Sequence, residues 1–393
     1  MLVTLGEAAA CTCGAKATTL GALLRAGLPV PEGFVVPFDA YRAATRDPDG
    51  RLAPPVWLGD VVARGLRMMG DGPVAVRSSA SDEDGAGGSA AGQHDSVLAV
   101  QGAHAVVQAV LTCWASLHSP RATAYRRRTG DDGTSERPVM AVLVQRFVDP
   151  DVAGVMFTPS DDDAATRIEA SWGLGAGVVG GTVTPDAYRV GPDGSITGTI
   201  ADKRVRRDRS GAGTVVRDVT AALRRKASLD DPSIRRIARL GQRVAEVLGG
   251  PQDIEWALTG DRIWILQARP LTADVPQPGP RPTGAPARWT GTPASHGTAT
   301  GTARIVRGPH DFPRVRRGDI LVCPFTDPAW TPLLAAAGGV VTEIGGALSH
   351  AAIIARERGI PAVLSVPAAT STLPDGALVT IDGTAGTVTT IDT

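Results

Sequence analysis

The chain has 393 residues, 40 basic and 40 acidic side chains and 43% hydrophobic residues. That balance gives no global field to draw it to nucleic acid or an anionic membrane surface, so partners have to be read from local sites. The length exceeds what one hydrophobic core usually supports, which leads us to expect two or three domains. Cysteines at 11, 13, 113 and 323 frame neither a disulfide set nor a tetrahedral metal site.

In chain order, the N-terminal "MLVTLGEAAACTCGAK" lacks a basic region ahead of an apolar block. It reads as mature sequence, and the expected compartment is reducing and cytoplasmic. No uncharged run reaches the ~20 apolar residues that span a bilayer, so no membrane anchor is expected. Next, "CGAKATTLGALLRAGLPVPEGFVV" places Lys16 among small residues just before a predicted helix. Small neighbours let a phosphate approach the backbone while lysine supplies a point charge; an exposed lysine at a helix start fits the same pattern.

A β-like run, "PVAVRSS", then delivers Arg77, and a Gly, Ala and Ser-rich segment (Gly85 to Gly92) returns to a second strand through "AGQ". The segment suits either a loop closing over a polyphosphate, with Arg77 as bidentate partner, or a plain hairpin. Helical patterns at "AVVQAVLTCWASL" and "SIRRIARLGQRVAEVLGG" and strand patterns at "VMAVLVQRFV" and "RIEASWG" continue a mixed α/β and α+β organisation. The basic run Lys203 to Arg209 reads as a solvated hairpin.

In "GGPQDIEWALTGDRIWILQARP" two strands joined by a tight turn put Asp253 and Glu255 on one face, and likewise Gln267 and Arg269. Two carboxylates, an amide oxygen and a guanidinium suit Mg²⁺ carrying nucleotide phosphates, because Mg²⁺ prefers oxygen ligands. The competing reading is a polar face turned to water.

Ala273 to Arg288 holds five prolines and two glycines and is expected to be a linker. In polyproline II geometry sixteen residues reach ~50 Å, enough for a domain to swing. Beyond it, strands are predicted at "GTARIV", "DILVCPF", "GVVTEI", "AVLSV", "ALVTID" and "GTVTTI", with a helix from Ser349 to Arg358. Gly345 and Gly346 permit a sharp turn, Ser349 is the expected N-cap, and Gly359 with Pro361 ends the helix. His350 therefore falls in the first helical turn. There a cation is disfavoured, and an anionic phosphoryl group gains ~0.3 to 1 kcal/mol from the helix amides. A histidine satisfying a buried helix end fits the same pattern. Histidines 94, 104, 118, 296 and 310 lack ligand-like spacing, and His296 is expected to be structural.

Five stretches, "GAKATTLGALLRAGLPVPEGFVV", "AVRSSASDED...AGQ", "VQRFVDPDVAGVMFT", "SWGLGAGVVGGTVTPD" and "PQDIEWA...LQARP", together resemble the ATP-grasp nucleotide-binding domain of the phosphoenolpyruvate synthase and pyruvate phosphate dikinase family. Rifampin phosphotransferases share that domain. "PASHGTATGTARIVRG", "GDILVCPFTDPAWTPLL", "GGALSHAAIIARERGIPAV" and "TIDGTAGTV" resemble its mobile phosphohistidine domain.

The resemblance implies an ATP-grasp domain over 1–272, a swivel linker over 273–288 and a small β/α phosphohistidine domain over 289–393. It implies that Lys16 and Arg77 hold ATP phosphates, that Gly92 and Gln93 belong to the loop over the nucleotide, and that Gln145 lies beside the base. Asp253, Glu255 and Gln267 match the Mg²⁺-ATP ligands, with Glu255 and Gln267 on the metal; Arg269 matches the phosphate-activating arginine and His350 the phosphorylated residue. Two positions depart from the pattern: Cys13 precedes Gly14 where a glycine pair is usual, and Ala176 stands where glutamate is common.

The implied activity moves the β-phosphoryl group of ATP through His350 to a hydroxyl or enolate, releasing AMP and phosphate. Neither a pyruvate-binding barrel nor a helical drug-binding domain is evident in the sequence. The expected acceptor is therefore a small molecule at the domain interface; the alternative is a split complex whose partner protein holds the acceptor. No nucleic acid or membrane partner is expected.

Overall fold

The computed structural model describes residues 2–47, 49, 51–81, 96–119, 122–123, 138–160, 163–272, 276, 288–327 and 330–391. They fall into two compact units. One comprises Met1–Asp151, Arg207–Arg217 and Arg239–Pro270; the other comprises Val152–Arg206, Asp218–Ala238 and Leu271–Thr393.

The first unit is built on five strands: β1 (Val3–Thr4), β2 (Gly33–Val36), β3 (Val74–Ala80), β4 (Ser96–Val100) and β5 (Met140–Arg146), in the order β1-β2-β5-β3-β4. The central strands are buried along nearly their whole length, which is why "VAVRSSA" and "MAVLVQR" read as continuous runs and not as alternation. Two helices, Leu58–Met68 and Ala103–Ser116, contribute Leu58, Val62, Leu66, Val110 and Trp114 to the core with Val76 and Val142 of the sheet. Each such side chain, fully buried, contributes ~1.5 to 3 kcal/mol.

Helix α1 (Ala10–Arg25) begins nine residues before the expected "TLGALLRAGL" and is broken at Gly14, whose φ of 74° and ψ of 170° are not helical. The reason is a close approach of strand β3. A Cβ at Gly14 would lie 2.5 Å from the Ser79 carbonyl oxygen, so only glycine fits. Ser79 fastens the break on both sides: its hydroxyl donates to the Cys13 carbonyl at 2.7 Å and accepts from the Ala17 amide at 3.2 Å.

The second unit opens with a meander: β6 (Val152–Phe157), β7 (Thr166–Trp172), β8 (Asp186–Val190) and β9 (Ile196–Thr199). Its register sets Glu169 between Val155 and Ala187, and Arg167 between Phe157 and Arg189. Behind the meander, Asp186 is fully buried. It accepts from Lys203 Nζ at 2.5 Å, the Ser228 amide at 2.8 Å, the Ser228 hydroxyl at 2.7 Å and the Ala201 amide at 2.9 Å. This corrects part of the expectation for the basic run. Val205–Ser210 does pair with Gly213–Asp218 as a two-stranded element. Lys203, however, is buried opposite a carboxylate 17 positions upstream, a pairing that local charge density cannot reveal.

The strands β10 (Gln252–Thr259) and β11 (Arg262–Pro270) form the expected hairpin, which belongs to the first unit. Leu266 sits in a register shift, so that Glu255 faces Gln267 while Trp256 faces Ile265. The C-terminal sheet contains β12 (Trp289–Thr290), β13 (Thr292–Ser295), β14 (Thr298–Ile305), β15 (Ile320–Cys323), β16 (Gly339–Thr342), β17 (Ala362–Leu364), β18 (Leu378–Asp382) and β19 (Thr387–Thr390). Their order is β12-β19-β18-β14-β15-β16-β17-β13.

Strands β14 to β17 run parallel, and helix α2 (His350–Glu357) makes the crossover from β16 to β17. The two faces of the sheet carry separate cores, one around Val322, Val341 and Ile381 and one around Leu321, Val340 and Ile354. All six strands expected from sequence are present. Strand β13 and the helix Thr331–Ala336 were not anticipated, because "TPAS" and "TPLLAA" are too short for a periodicity to register.

Candidate functional site

In the first unit the predicted polar residues converge from three elements. Lys16 lies just past the break in α1, in the first turn of the continuing helix and not ahead of it; its ammonium donates to the Ser78 carbonyl at 3.0 Å. Helix α1 packs against both β3 and β11, which brings Lys16 and the hairpin to the same region. Arg77, on β3, directs Nη1 to Glu255 Oε2 and Gln267 Oε1, both at 3.4 Å. Those contacts are long for charge-assisted hydrogen bonds, which favour 2.7 to 2.9 Å.

Arg77 Nε is buried with no hydrogen-bond partner among the described residues, and the same holds for the Ser78 hydroxyl. A buried guanidinium with an unspent donor and two loose contacts has capacity left for an anion. Arg269 is different. Its Nε and Nη2 both reach Asp253 Oδ2, at 2.8 and 2.6 Å, so the Asp253 carboxylate is committed to orienting this arginine. Glu255 and Gln267, both half-buried, face each other across the hairpin as a pair of side-chain oxygens.

Among the described residues no three His, Cys, Asp or Glu side chains gather into a protein-only metal site. Two opposed oxygens, Glu255 and Gln267, fit Mg²⁺ nonetheless, since this ion keeps waters and substrate phosphates in its shell and needs few protein ligands. Gln145, on β5 next to the strand that carries Arg77, is 1% exposed, and its amide donates to the Pro31 carbonyl at 3.1 Å. Gly92 and Gln93 lie outside the described residues.

The second unit holds His350 as the first residue of α2, at the carboxyl end of parallel strand β16. This is the edge at which α/β sheets place ligands. Gly345 adopts φ 117°, and Gly359 at φ 62° ends the helix as expected. Ser349 takes the N-cap position with extended backbone, but its hydroxyl makes no capping bond and is buried without a partner among the described residues. The expected cap is therefore correct in backbone only, and a hydroxyl is left open beside His350.

His350 is itself 4% exposed. His296 is exposed at the turn between β13 and β14, with Nδ1 3.4 Å from the Thr384 hydroxyl. Glu169 was not singled out from sequence. Buried at 4% exposure, it accepts hydrogen bonds from the backbone of Leu348 and Ala347, next to His350. A charged residue inside the apolar strand "RIEASW" was its only signal.

Polar residues converge on a hairpin in the first unit, and a histidine starts a helix in a parallel β/α sheet in the second, the two elements that the resemblance implies. Comparison with known proteins agrees. Residues 58–282 match the family described as "Pyruvate phosphate dikinase, AMP/ATP-binding domain", and residues 315–386 match "PEP-utilising enzyme, mobile domain". The chain belongs to the phosphoenolpyruvate synthase and pyruvate phosphate dikinase family.

It is 36% identical over 424 residues to a "Probable phosphoenolpyruvate synthase" of Methanothermobacter thermautotrophicus, covering 95% of this chain and 61% of that protein. It is 39% identical over 333 residues to the "Phosphoenolpyruvate synthase" of Pyrococcus furiosus, covering 80% of this chain and 40% of that protein. The chain thus spans roughly half the length of these relatives. Among the described residues no helix is long and apolar enough to cross a membrane.

Proposed function

We propose that the protein is an ATP-dependent phosphotransferase that carries the β-phosphoryl group of ATP on His350 to a small hydroxyl or enolate acceptor. The observation that carries this reading is the placement of His350 in the first turn of α2, beside the unpartnered Ser349 hydroxyl. Free helix amides and an open hydroxyl suit a phosphoryl group bonded there.

A ring nitrogen of His350 forms a bond to the β-phosphorus as the bond to the α-phosphate bridging oxygen breaks, and AMP leaves. Water then attacks the γ-phosphorus and releases phosphate, leaving one phosphoryl group on the ring. Transfer to the acceptor oxygen breaks the phosphorus–nitrogen bond and returns a proton to the imidazole. Lys16, Arg77 and Arg269 supply positive charge to the triphosphate, and Asp253 keeps Arg269 aimed. Glu255 and Gln267 are the residues that would hold Mg²⁺, which screens phosphate charge when bound.

The division into an ATP-binding domain over 1–272, a swivel linker over 273–288 and a carrier domain over 289–393 is part of the proposal. The family matches at 58–282 and 315–386 support an ATP-binding part followed by a mobile domain. Gln145, Gly92 and Gln93 complete the proposed nucleotide contacts by resemblance. A second arrangement, in which a partner protein supplies the acceptor site, is compatible with the same carrier chemistry.

The test uses ATP labelled separately at the β and γ positions. Acid-labile, alkali-stable protein label from the β position alone, lost in His350→Ala, is the expected result. Production of ADP with no protein label overturns the proposal in favour of direct phosphoryl transfer.

A further inference from the structure

The turn that precedes His350 is held by side chains from other elements: Ser365 donates to the Gly345 carbonyl at 2.6 Å, and Glu169 takes the amides that follow. Glu169 Oε2 accepts the Leu348 amide at 3.2 Å, and the neighbouring Ala347 amide also bonds to this carboxyl group. Two successive backbone N–H groups aimed at one acceptor form a small anion nest, and here the chain supplies its own carboxyl to fill it. Gly346 provides the room: a Cβ there would lie 2.0 Å from Glu169 Oε2 and 2.4 Å from its Cδ.

The fit extends around the contact. Val155 and Phe157 of β6, on the same sheet face as Glu169, pack with Ala347, Leu348 and Ile353. Arg356 Nη1, one turn beyond the first turn of α2, donates to the Ala347 carbonyl at 2.7 Å. The charged groups around Glu169 are Arg167 on its own strand and Arg356 from α2, with Arg189 opposite Arg167 on β8. Arg167 and Arg189 are both held by Asp163, at 2.6 and 2.9 Å.

We infer that Glu169 is a positioning residue for the phosphoryl-carrying loop: by filling the Ala347 and Leu348 amides across the space left by Gly346, it fixes where His350 stands. The inference rests on the proposed role of His350 for its catalytic consequence, though the contact itself does not. Burial raises the Glu169 carboxyl to about 7, against the pull of the two amides and the two arginines. A cavity of about 450 Å³ is lined by Arg167, Glu169, Arg189, Thr199 and Leu348. A carboxyl whose value is raised on docking binds best when protonated. Docking of the loop is therefore strongest below the ordinary glutamate value of 4.5 and weakens as pH rises through about 7.

The experiment has two arms on the full chain. In the first, amide exchange at Ala347 and Leu348 is measured for wild type, Glu169→Gln and Glu169→Ala. Protection lost in Glu169→Ala and kept in Glu169→Gln is expected, because glutamine retains an acceptor oxygen; equal protection in all three overturns the inference. This arm does not depend on phosphorylation. It still decides the matter if wild type takes no label, a result that sinks the proposed function alone.

The second arm follows the rate of β-label uptake from pH 5.5 to 8. The ratio of wild-type to Glu169→Gln rate should fall at least about tenfold over that range, in line with a shift of more than one pKa unit. Gly346→Ala should slow uptake about tenfold or more with Glu169 present and less than about threefold in the Glu169→Ala background. Parallel pH profiles, with the same Gly346→Ala penalty in both backgrounds, would overturn it.

Discussion

The two functional regions handle buried charge in opposite ways. Around the hairpin of the first unit, each carboxylate meets a guanidinium: Asp253 holds Arg269 at 2.6 Å, and Glu255 shares Arg77 with Gln267 at 3.4 Å. Around His350 in the second unit, a carboxyl group is buried against backbone amides, with arginines acting on it through space. A carboxylate–guanidinium pair presents charge for which a phosphate can compete. A group held by peptide dipoles titrates instead. On the proposed reading the first region receives an anion, while the second responds to the proton.

The largest expected effect on activity within this comparison comes from Arg269. Replacing it with alanine removes a charge from the proposed triphosphate clamp and strands Asp253, which is 7% exposed. A loss of ~10² to 10³ in the rate of β-label uptake is expected, the scale for deleting one aimed donor at a site of developing charge. A loss under tenfold would remove Arg269 from the clamp.

Next comes the Asp186–Lys203 pair, which shows what a fully enclosed ion pair contributes without an open donor beside it. Asp186→Ala leaves a buried ammonium and strips Ser228 and Ala201 of their acceptor. Destabilisation of ~3 to 5 kcal/mol in denaturant unfolding is the expected outcome, with Lys203→Met less costly because it leaves the carboxylate its other donors. A larger loss for Lys203→Met would reverse that ordering.

The smallest effect is the pH dependence of stability at Glu169. Its raised value means that a stabilising contribution present below pH 4.5 is lost as pH rises through about 7. Glu169→Gln lacks the titration. The unfolding free energy of wild type minus that of the variant should therefore decline between those limits, by ~3 kcal/mol at most, and level off above them. A flat difference curve would mean the carboxyl is not dehydrated as placed.

Much of the site could be read from sequence because its residues lie on regular elements. Strand alternation put Asp253 with Glu255 and Gln267 with Arg269, and glycine punctuation set His350 at a helix start. Three features could not be read. The break at Gly14 depends on Ser79, 65 residues away, and a lone glycine inside a helical pattern does not announce it. The pairing of Asp253 with Arg269 depends on rotamers that alternation does not specify. The burial of Glu169 and Lys203 depends on partners 179 and 17 positions away, and each side chain in isolation reads as a surface charge. Local pattern finds the elements; long-range pairing decides what their polar residues do.

The C-terminal sheet closes on itself in one further respect. Trp289 of β12 pairs with Val388 of β19, so the chain enters and leaves this sheet on adjacent strands ~4.8 Å apart. A segment whose two ends meet at one place behaves as a cassette: it can be spliced into a loop of an unrelated host, or its ends rejoined and reopened elsewhere, without rethreading a strand. The histidine-bearing helix, whose N-terminus lies at the carboxyl end of β16, would travel with the sheet and leave Glu169 behind.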